Sequence, residues 1–285
     1  MIKSMTGYGK TEFTINTKKI TIEIKSLNSK NLDLNVRINN PFREKELLIR
    51  KKLSAKLKRG KVDFYLFVEN TGGENSNKIN TATAKDYINQ LQKITAISNE
   101  SALEIAMKLP NILDTAKEEV DENEWEKIEL KIDEALNRID NFRKDEGAIL
   151  KADFEERIST LQNLCEINIE FEEARIPAVR ERIEKSINDL KLDVDKNRFE
   201  QELIFYLEKL DITEERIRLD NHLIYFLKEL NVDESNGKKL GFICQEIGRE
   251  INTTGSKANY APMQQNVVLM KDELEKIKEQ LLNVL

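Results

Sequence analysis

The chain has 285 residues, of which 34% are charged and 6% aromatic, and its formal net charge at pH 7 is −6. Four prolines and ten glycines exclude a collagen-like or low-complexity chain, and no apolar run is long enough to predict a membrane span. We expect a cytoplasmic protein, because the N-terminus lacks the apolar block of a signal peptide and the isolated cysteines Cys165 and Cys244 fit buried thiols in a reducing compartment.

The charge is unevenly distributed along the sequence. Residues 1–70 contain 16 Lys or Arg against 7 Asp or Glu, whereas the rest of the chain contains 30 against 45. A basic segment on an acidic protein is typical of a surface that binds a phosphate backbone, although ordinary solvated lysines would give the same count.

Residues 1–82 carry the strand signal. Apolar and polar residues alternate over residues 20–25 and 32–39, and further strands are predicted at 11–17 and 62–68. Pro41 is placed to open a helix before the last of these strands, with an apolar set formed by Leu47, Leu48, Leu53 and Leu57. This order predicts an α+β fold that begins with a mixed sheet and a helix.

Helical periodicity dominates the remainder. We expect residues 83–198 to form a long helical arm, interrupted at Gly147 and restarted at Pro177, with an apolar stripe formed by Trp125, Ile128, Ile132, Leu136, Ile139 and Phe142. Residues 199–285 are predicted to form a C-terminal helical domain that holds the metal and RNA site. Within it, Asp211 and Glu214 have the spacing of a helix cap.

Two predicted helices of this last domain carry candidate chemistry. The first places Glu215, Leu219, His222 and Phe226 on one stripe, and His222 is the only histidine of the chain. A lone histidine beside an apolar face is more often a hydrogen-bonded core residue than a ligand. The second places Glu246 and Glu250 one turn apart, where their repulsion favours a shared cation or an arginine partner.

Four segments resemble the YicC/YloC family of bacterial endoribonucleases. They are MIKSMTGYG at residues 1–9, FRKDEGAIL at 142–150, DITEERIRLDNHL at 211–223 and GKKLGFICQEIGREINT at 237–253. The sequence departs from the family pattern around residues 26–33, where the family usually has an asparagine–histidine–arginine-like run. Here serine and lysine stand in for the histidine and the arginine-like residue. Gly241 and Gly248 also stand where the family more often has aspartate and asparagine.

The resemblance implies a divalent-cation-dependent enzyme that cleaves single-stranded RNA and works as a ring-like homohexamer. A basic N-terminal layer would then guide RNA to an acidic site in the C-terminal domains. On this hypothesis Mn²⁺ or Mg²⁺ is held by Glu215, His222, Glu246 and Glu250, and the catalytic set is His222, Glu246, Glu250 and Arg249. The expected RNA-binding residues are Arg37, Arg43, Arg50, Arg59, Lys61, Arg218 and Lys257.

Two other functions remain open from the residues alone. Within the enzyme class, His222 could act as a metal-free base toward a 2′-hydroxyl, although no second histidine offers an acid partner. Outside it, the chain could be a non-catalytic RNA-binding adaptor or assembly protein, with Glu246 and Glu250 bridged to Arg218 or Arg249. No GxxxxGK[ST] or GxGxxG motif occurs, so no nucleotide cofactor is expected.

Overall fold

The computed structural model describes residues 2–39, 42–71, 77–115, 121–189 and 195–285. Its first feature is a four-stranded mixed sheet formed by β1 (Gly7–Ile15), β2 (Lys18–Leu27), β3 (Leu32–Ile38) and β4 (Gly60–Asn70), in the order β1-β2-β4-β3. The β1–β2 and β2–β4 pairs are antiparallel, whereas β3 and β4 are parallel. The predicted α+β class and the mixed sheet are therefore confirmed.

Helix α1 (Glu46–Lys56) follows a 3-10 turn at Phe42–Lys45 and connects the parallel pair β3 and β4. The prediction that Pro41 opens this helix falls outside the described residues. Two of the four leucines predicted to be buried are exposed, since Leu47 is 80% and Leu48 56% accessible. Ile49, Leu53 and Leu57 are the buried positions, because the face that meets the sheet follows a spacing of four.

Residues 77–115 contain two short helices and a small sheet. Helix α2 (Thr81–Ile94) packs against α3 (Asn99–Ala106), and β5 (Asn77–Ile79) pairs with β6 (Leu113–Thr115) in antiparallel orientation. The expectation that everything after residue 83 is helical is therefore wrong at β6.

Helix α4 (Glu122–Asp189) runs without interruption for 68 residues, or roughly 100 Å at 1.5 Å per residue. The breaks predicted at Gly147 and Pro177 are wrong, because the helix continues through both residues. Phe142, predicted on the buried stripe, is exposed, and Arg143 takes the inward position beside it.

The C-terminal part consists of α5 (Lys196–Lys209), α6 (Thr213–Leu230), α7 (Gly237–Lys257) and α8 (Ala261–Leu281). Its core joins α6, α7 and α8 to the middle of α4 through Phe154, Ile158 and Leu161. A second core joins the sheet to the beginning of α4 through Trp125, Ile128 and Ile132. Helix α4 therefore contributes to both cores, and the boundaries predicted at residues 82 and 198 stay a prediction.

Residues near the two chain ends meet beside α4. Ser4 and Val284 form a β-bridge, and the Met5 amide donates to the Asn283 carbonyl at 2.7 Å. The Leu285 amide in turn donates to the Lys3 carbonyl at 3.0 Å. Within the described ranges, no helix combines the length and apolarity needed to cross a bilayer.

Candidate functional site

The four predicted metal ligands lie on α6 and α7, two helices in direct contact, but their environments differ. Glu215 is 5% and Glu250 4% exposed, whereas Glu246 is exposed and His222 half-buried. Among the described residues, no three His, Cys, Asp or Glu side chains lie close enough to bind one ion. A single chain therefore does not gather the predicted four-residue metal site.

Glu215 and Lys257 form an ion pair at the end of α7. The Lys257 Nζ donates to the two carboxylate oxygens of Glu215 at 2.9 and 3.0 Å, and also to the Asp211 carbonyl oxygen at 2.8 Å. The two side chains thus neutralise each other's charge. In this chain the Glu215 carboxylate contacts an ammonium, and the Lys257 side chain remains 29% exposed to solvent.

Arg175 of α4 supports the same region, although it belongs to no predicted site. This guanidinium is 2% exposed, and its Nη1 donates to the Leu210 carbonyl at 2.9 Å and the Lys257 carbonyl at 3.3 Å. These carbonyls end α5 and α7, where a cation is favoured by the negative ends of the helix dipoles. The only sequence signal was an arginine among the inward positions of α4.

The pKa of Asp211, which precedes α6, is lowered. The main cause is the hydrogen bond from the Thr213 hydroxyl at 2.7 Å, joined by the Thr213 amide at 2.9 Å and by the charges of Lys257 and Arg175. The prediction that Asp211 is the helix cap is wrong, because the N-cap of α6 is Ile212, which makes no side-chain cap hydrogen bond. Asp211 lies one residue earlier and accepts from the Thr213 amide and hydroxyl. Glu214 instead pairs with Arg218 at 2.5 Å.

Glu246 and Glu250 have no cationic partner among the described residues. Arg218 is paired with Glu214, and Arg249 forms no ion pair in the described part of the chain. The salt bridges that the adaptor alternative expected are thus absent within these residues. Glu250 is 4% exposed as a whole residue, and no described side chain donates to its carboxylate.

The two thiols offer no nucleophile. Burial raises the pKa of both Cys165 and Cys244 to about 12, so neither forms a thiolate at neutral pH. Cys244 is buried, as predicted, whereas Cys165 is only partly so.

The predicted RNA-binding residues are spread over several elements rather than gathered on one surface. Arg37 of β3 lies over the Tyr65 ring at 5.4 Å. Arg50 of α1 donates to Glu46 at 2.8 Å and to the Leu34 carbonyl at 2.9 Å. Arg43 and Lys61 are exposed.

A cavity of about 720 Å³ between the sheet and the C-terminal helices, here called the basic cleft, was not predicted. It is lined by Met5, Lys30, Arg59, Gly237, Lys238, Gly241, Gln245, Lys278, Leu281, Leu282 and Val284. Four of these residues are cationic and none is acidic. Only Arg59 was among the predicted RNA contacts, because the other cations come from distant parts of the sequence.

The fold fixes the walls of the basic cleft through backbone contacts. The Arg59 Nε donates to the Ser29 carbonyl at 3.0 Å, and the Asn28 amide side chain donates to the Leu282 carbonyl at 2.5 Å. Helix α7 begins at Gly237, whose amide donates to the Leu285 carbonyl at 2.9 Å. The positive end of the α7 dipole therefore lies at the cleft.

Two family models match this chain, one over its N-terminal half and one over its C-terminal half. Residues 2–152 match the family model described as endoribonuclease YicC-like, N-terminal region, and residues 169–285 match endoribonuclease YicC-like, C-terminal. The chain belongs to the YicC-like family. Among curated relatives of this family, the probable endoribonuclease YicC of Clostridioides difficile is 32% identical over 293 residues, and that of Haemophilus influenzae 28% over 291, each alignment covering 100% of both chains.

Proposed function

We propose that this protein is an endoribonuclease that hydrolyses phosphodiester bonds within RNA. The observation that carries the proposal is the match of both halves to YicC-like endoribonuclease models, with relatives aligned over their full length and named probable endoribonucleases. Within the chain, the unpaired carboxylates Glu246 and Glu250 and the half-buried His222 lie on two contacting helices. Carboxylates and imidazole are the groups that acid–base phosphodiester chemistry uses.

We also propose that the reaction requires Mn²⁺ or Mg²⁺. The structure leaves fewer protein ligands for this ion than the four that the sequence predicted. The Glu215 carboxylate is paired with the Lys257 ammonium, so His222, Glu246 and Glu250 remain as candidate ligands. These residues fit a resident metal centre only in part, since no three such groups gather in the described chain. Mg²⁺ is commonly held by one or two carboxylates together with water and substrate phosphates, and a bound metal would supply charge stabilisation and a more acidic water.

We also propose that the protein works as a ring-like homo-oligomer in the cytoplasm, as the family resemblance suggests. Support comes from large apolar side chains left exposed on the C-terminal helices, namely Ile204, Phe205, Ile217, Ile224 and Phe242. Large exposed apolar side chains in such number are typical of surfaces that another subunit covers.

The test is cleavage of a small RNA by purified protein in Mn²⁺, in Mg²⁺ and in excess EDTA. We expect metal-dependent cleavage that Glu246→Gln and His222→Ala each slow by about 10²-fold or more, the usual effect of removing a catalytic acid or base. Glu279→Gln is the matched control, because Glu279 is an exposed carboxylate on the neighbouring helix α8.

Two outcomes would contradict parts of the proposal. If Glu246→Gln and His222→Ala both cleave at the wild-type rate, the assigned site is wrong. If wild-type protein binds RNA and leaves it intact under all three conditions, the adaptor function replaces the enzyme.

A further inference from the structure

We propose that the basic cleft is where the sugar–phosphate backbone of single-stranded RNA binds this protein. The inference rests on the proposed function for its ligand class, but its location comes from the structure. Cations from two parts of the molecule face one cavity: Lys30 and Arg59 from the sheet side, and Lys238 and Lys278 from the C-terminal helices. A cavity with four cations and no acid in its lining attracts a polyanion.

The cations of the basic cleft are available to a ligand. Within the described residues, Lys30 and Lys238 have no acidic partner, and Lys238 lies over the Phe242 ring at 6.0 Å. Lys278 pairs with Glu275 at 2.7 Å, but both side chains are solvent-accessible, and such surface pairs contribute little free energy. Phosphates can therefore replace these weak contacts at small cost.

A buried charge behind the wall adds to the attraction. Arg143 is 3% exposed, and its Nη2 donates to the Ser26 hydroxyl at 2.6 Å, the Met5 carbonyl at 3.3 Å and the Arg59 carbonyl at 3.5 Å. All three acceptors are neutral, and no carboxylate among the described residues bonds to this guanidinium. Because Met5 and Arg59 line the cleft, the positive charge lies directly behind its surface, where screening by water is weak.

The lining also indicates how RNA is recognised. Among the described residues that line it, none is aromatic and could stack on a base, and Gln245 is the only polar side chain besides the cations. Contacts to phosphates fix the position of a nucleic acid without reading its sequence. Binding in the basic cleft should therefore depend strongly on salt and weakly on base identity.

The experiment measures anisotropy of labelled oligouridylate and oligoadenylate in EDTA across a salt series, with intact probe checked on a gel. For single strands, log Kd changes with log salt by about 0.7 per phosphate contact. We expect Lys30→Gln and Lys238→Gln each to flatten this slope by about 0.7, and the double variant by about 1.4, equally for both sequences. Lys271→Gln, an exposed lysine on α8 outside the lining, should leave the slope unchanged.

Slopes of the cleft variants equal to wild type, or an equal change in Lys271→Gln, would overturn the proposed location. Cleavage by wild-type protein together with unchanged slopes would reject the cleft and leave the nuclease function standing. Flattened slopes without cleavage by the wild-type protein would support the cleft and reject the nuclease function.

Discussion

Single residues at the end of α7 show how buried charges are stabilised in this protein. Lys257 binds the Glu215 carboxylate and the Asp211 carbonyl, while Arg175 binds the carbonyl of Lys257 itself. The three contacts connect α4, α6 and α7 at one point. They give Lys257 a structural role in the folded chain, and its predicted contact with RNA stays a prediction.

Glu215→Gln should destabilise the protein by roughly 1–3 kcal/mol, because it leaves Lys257 partly buried without its counter-charge. The neighbouring Glu214→Gln is the matched control, since it removes an ion pair with Arg218 that is exposed on both sides and worth at most about 0.5 kcal/mol. Urea denaturation of the two variants measures the difference. Equal destabilisation by both would show that burial does not strengthen the Glu215 pair.

At the scale of elements, α4 shows what the sequence pattern predicts and where it fails. Alternation located three of the four sheet strands, because a half-buried strand imposes a local period of two. The strand predicted at 11–17 is displaced, since β1 begins at Gly7 and ends at Ile15. Gly147 and Pro177 looked like helix ends, yet α4 continues through both. The reason at Gly147 is a contact distant in sequence: a Cβ there would lie 2.2 Å from the Ile2 carbonyl oxygen. Glycine is required for close packing, which local patterns do not reveal.

Gly147→Ala should therefore destabilise the protein by roughly 1–3 kcal/mol, the range for overpacking, although alanine is the better helix former. Gly241→Ala provides the opposite case on α7, because its Cβ would meet no atom within 4 Å. There we expect a gain of about 0.5–1 kcal/mol. Thermal and urea denaturation compare the two variants with wild type, and stabilisation by Gly147→Ala would contradict the close contact with Ile2.

At the scale of the whole molecule, the candidate site could be predicted only in part. Glu246 and Glu250 were identifiable because they are close in sequence and lie in a family motif. The basic cleft was not, because Met5, Lys30, Arg59 and Lys278 meet only after the chain ends pair beside α4. Gly241 lines the cleft without contributing a side chain.

The two cores should unfold together, because α4 passes through both and the chain ends join them. Trp125, the only tryptophan, is buried in the sheet core, so its fluorescence reports that core, whereas far-UV circular dichroism reports mainly the helices. Ile158→Val removes a buried methyl group from the other core and should cost about 0.5–1.5 kcal/mol. If unfolding is cooperative, both probes shift to the same lower urea midpoint.

Ile149→Val on the same helix is the matched control, since Ile149 is exposed and the same methyl group is lost without a cavity. Its midpoints should stay close to wild type by both probes. A Trp125 midpoint that stays fixed in Ile158→Val while the dichroism midpoint falls would show that the cores unfold separately. In that case α4 would not couple the unfolding of the two cores. The sheet side and the helical side of the basic cleft would then each depend on their own core for stability.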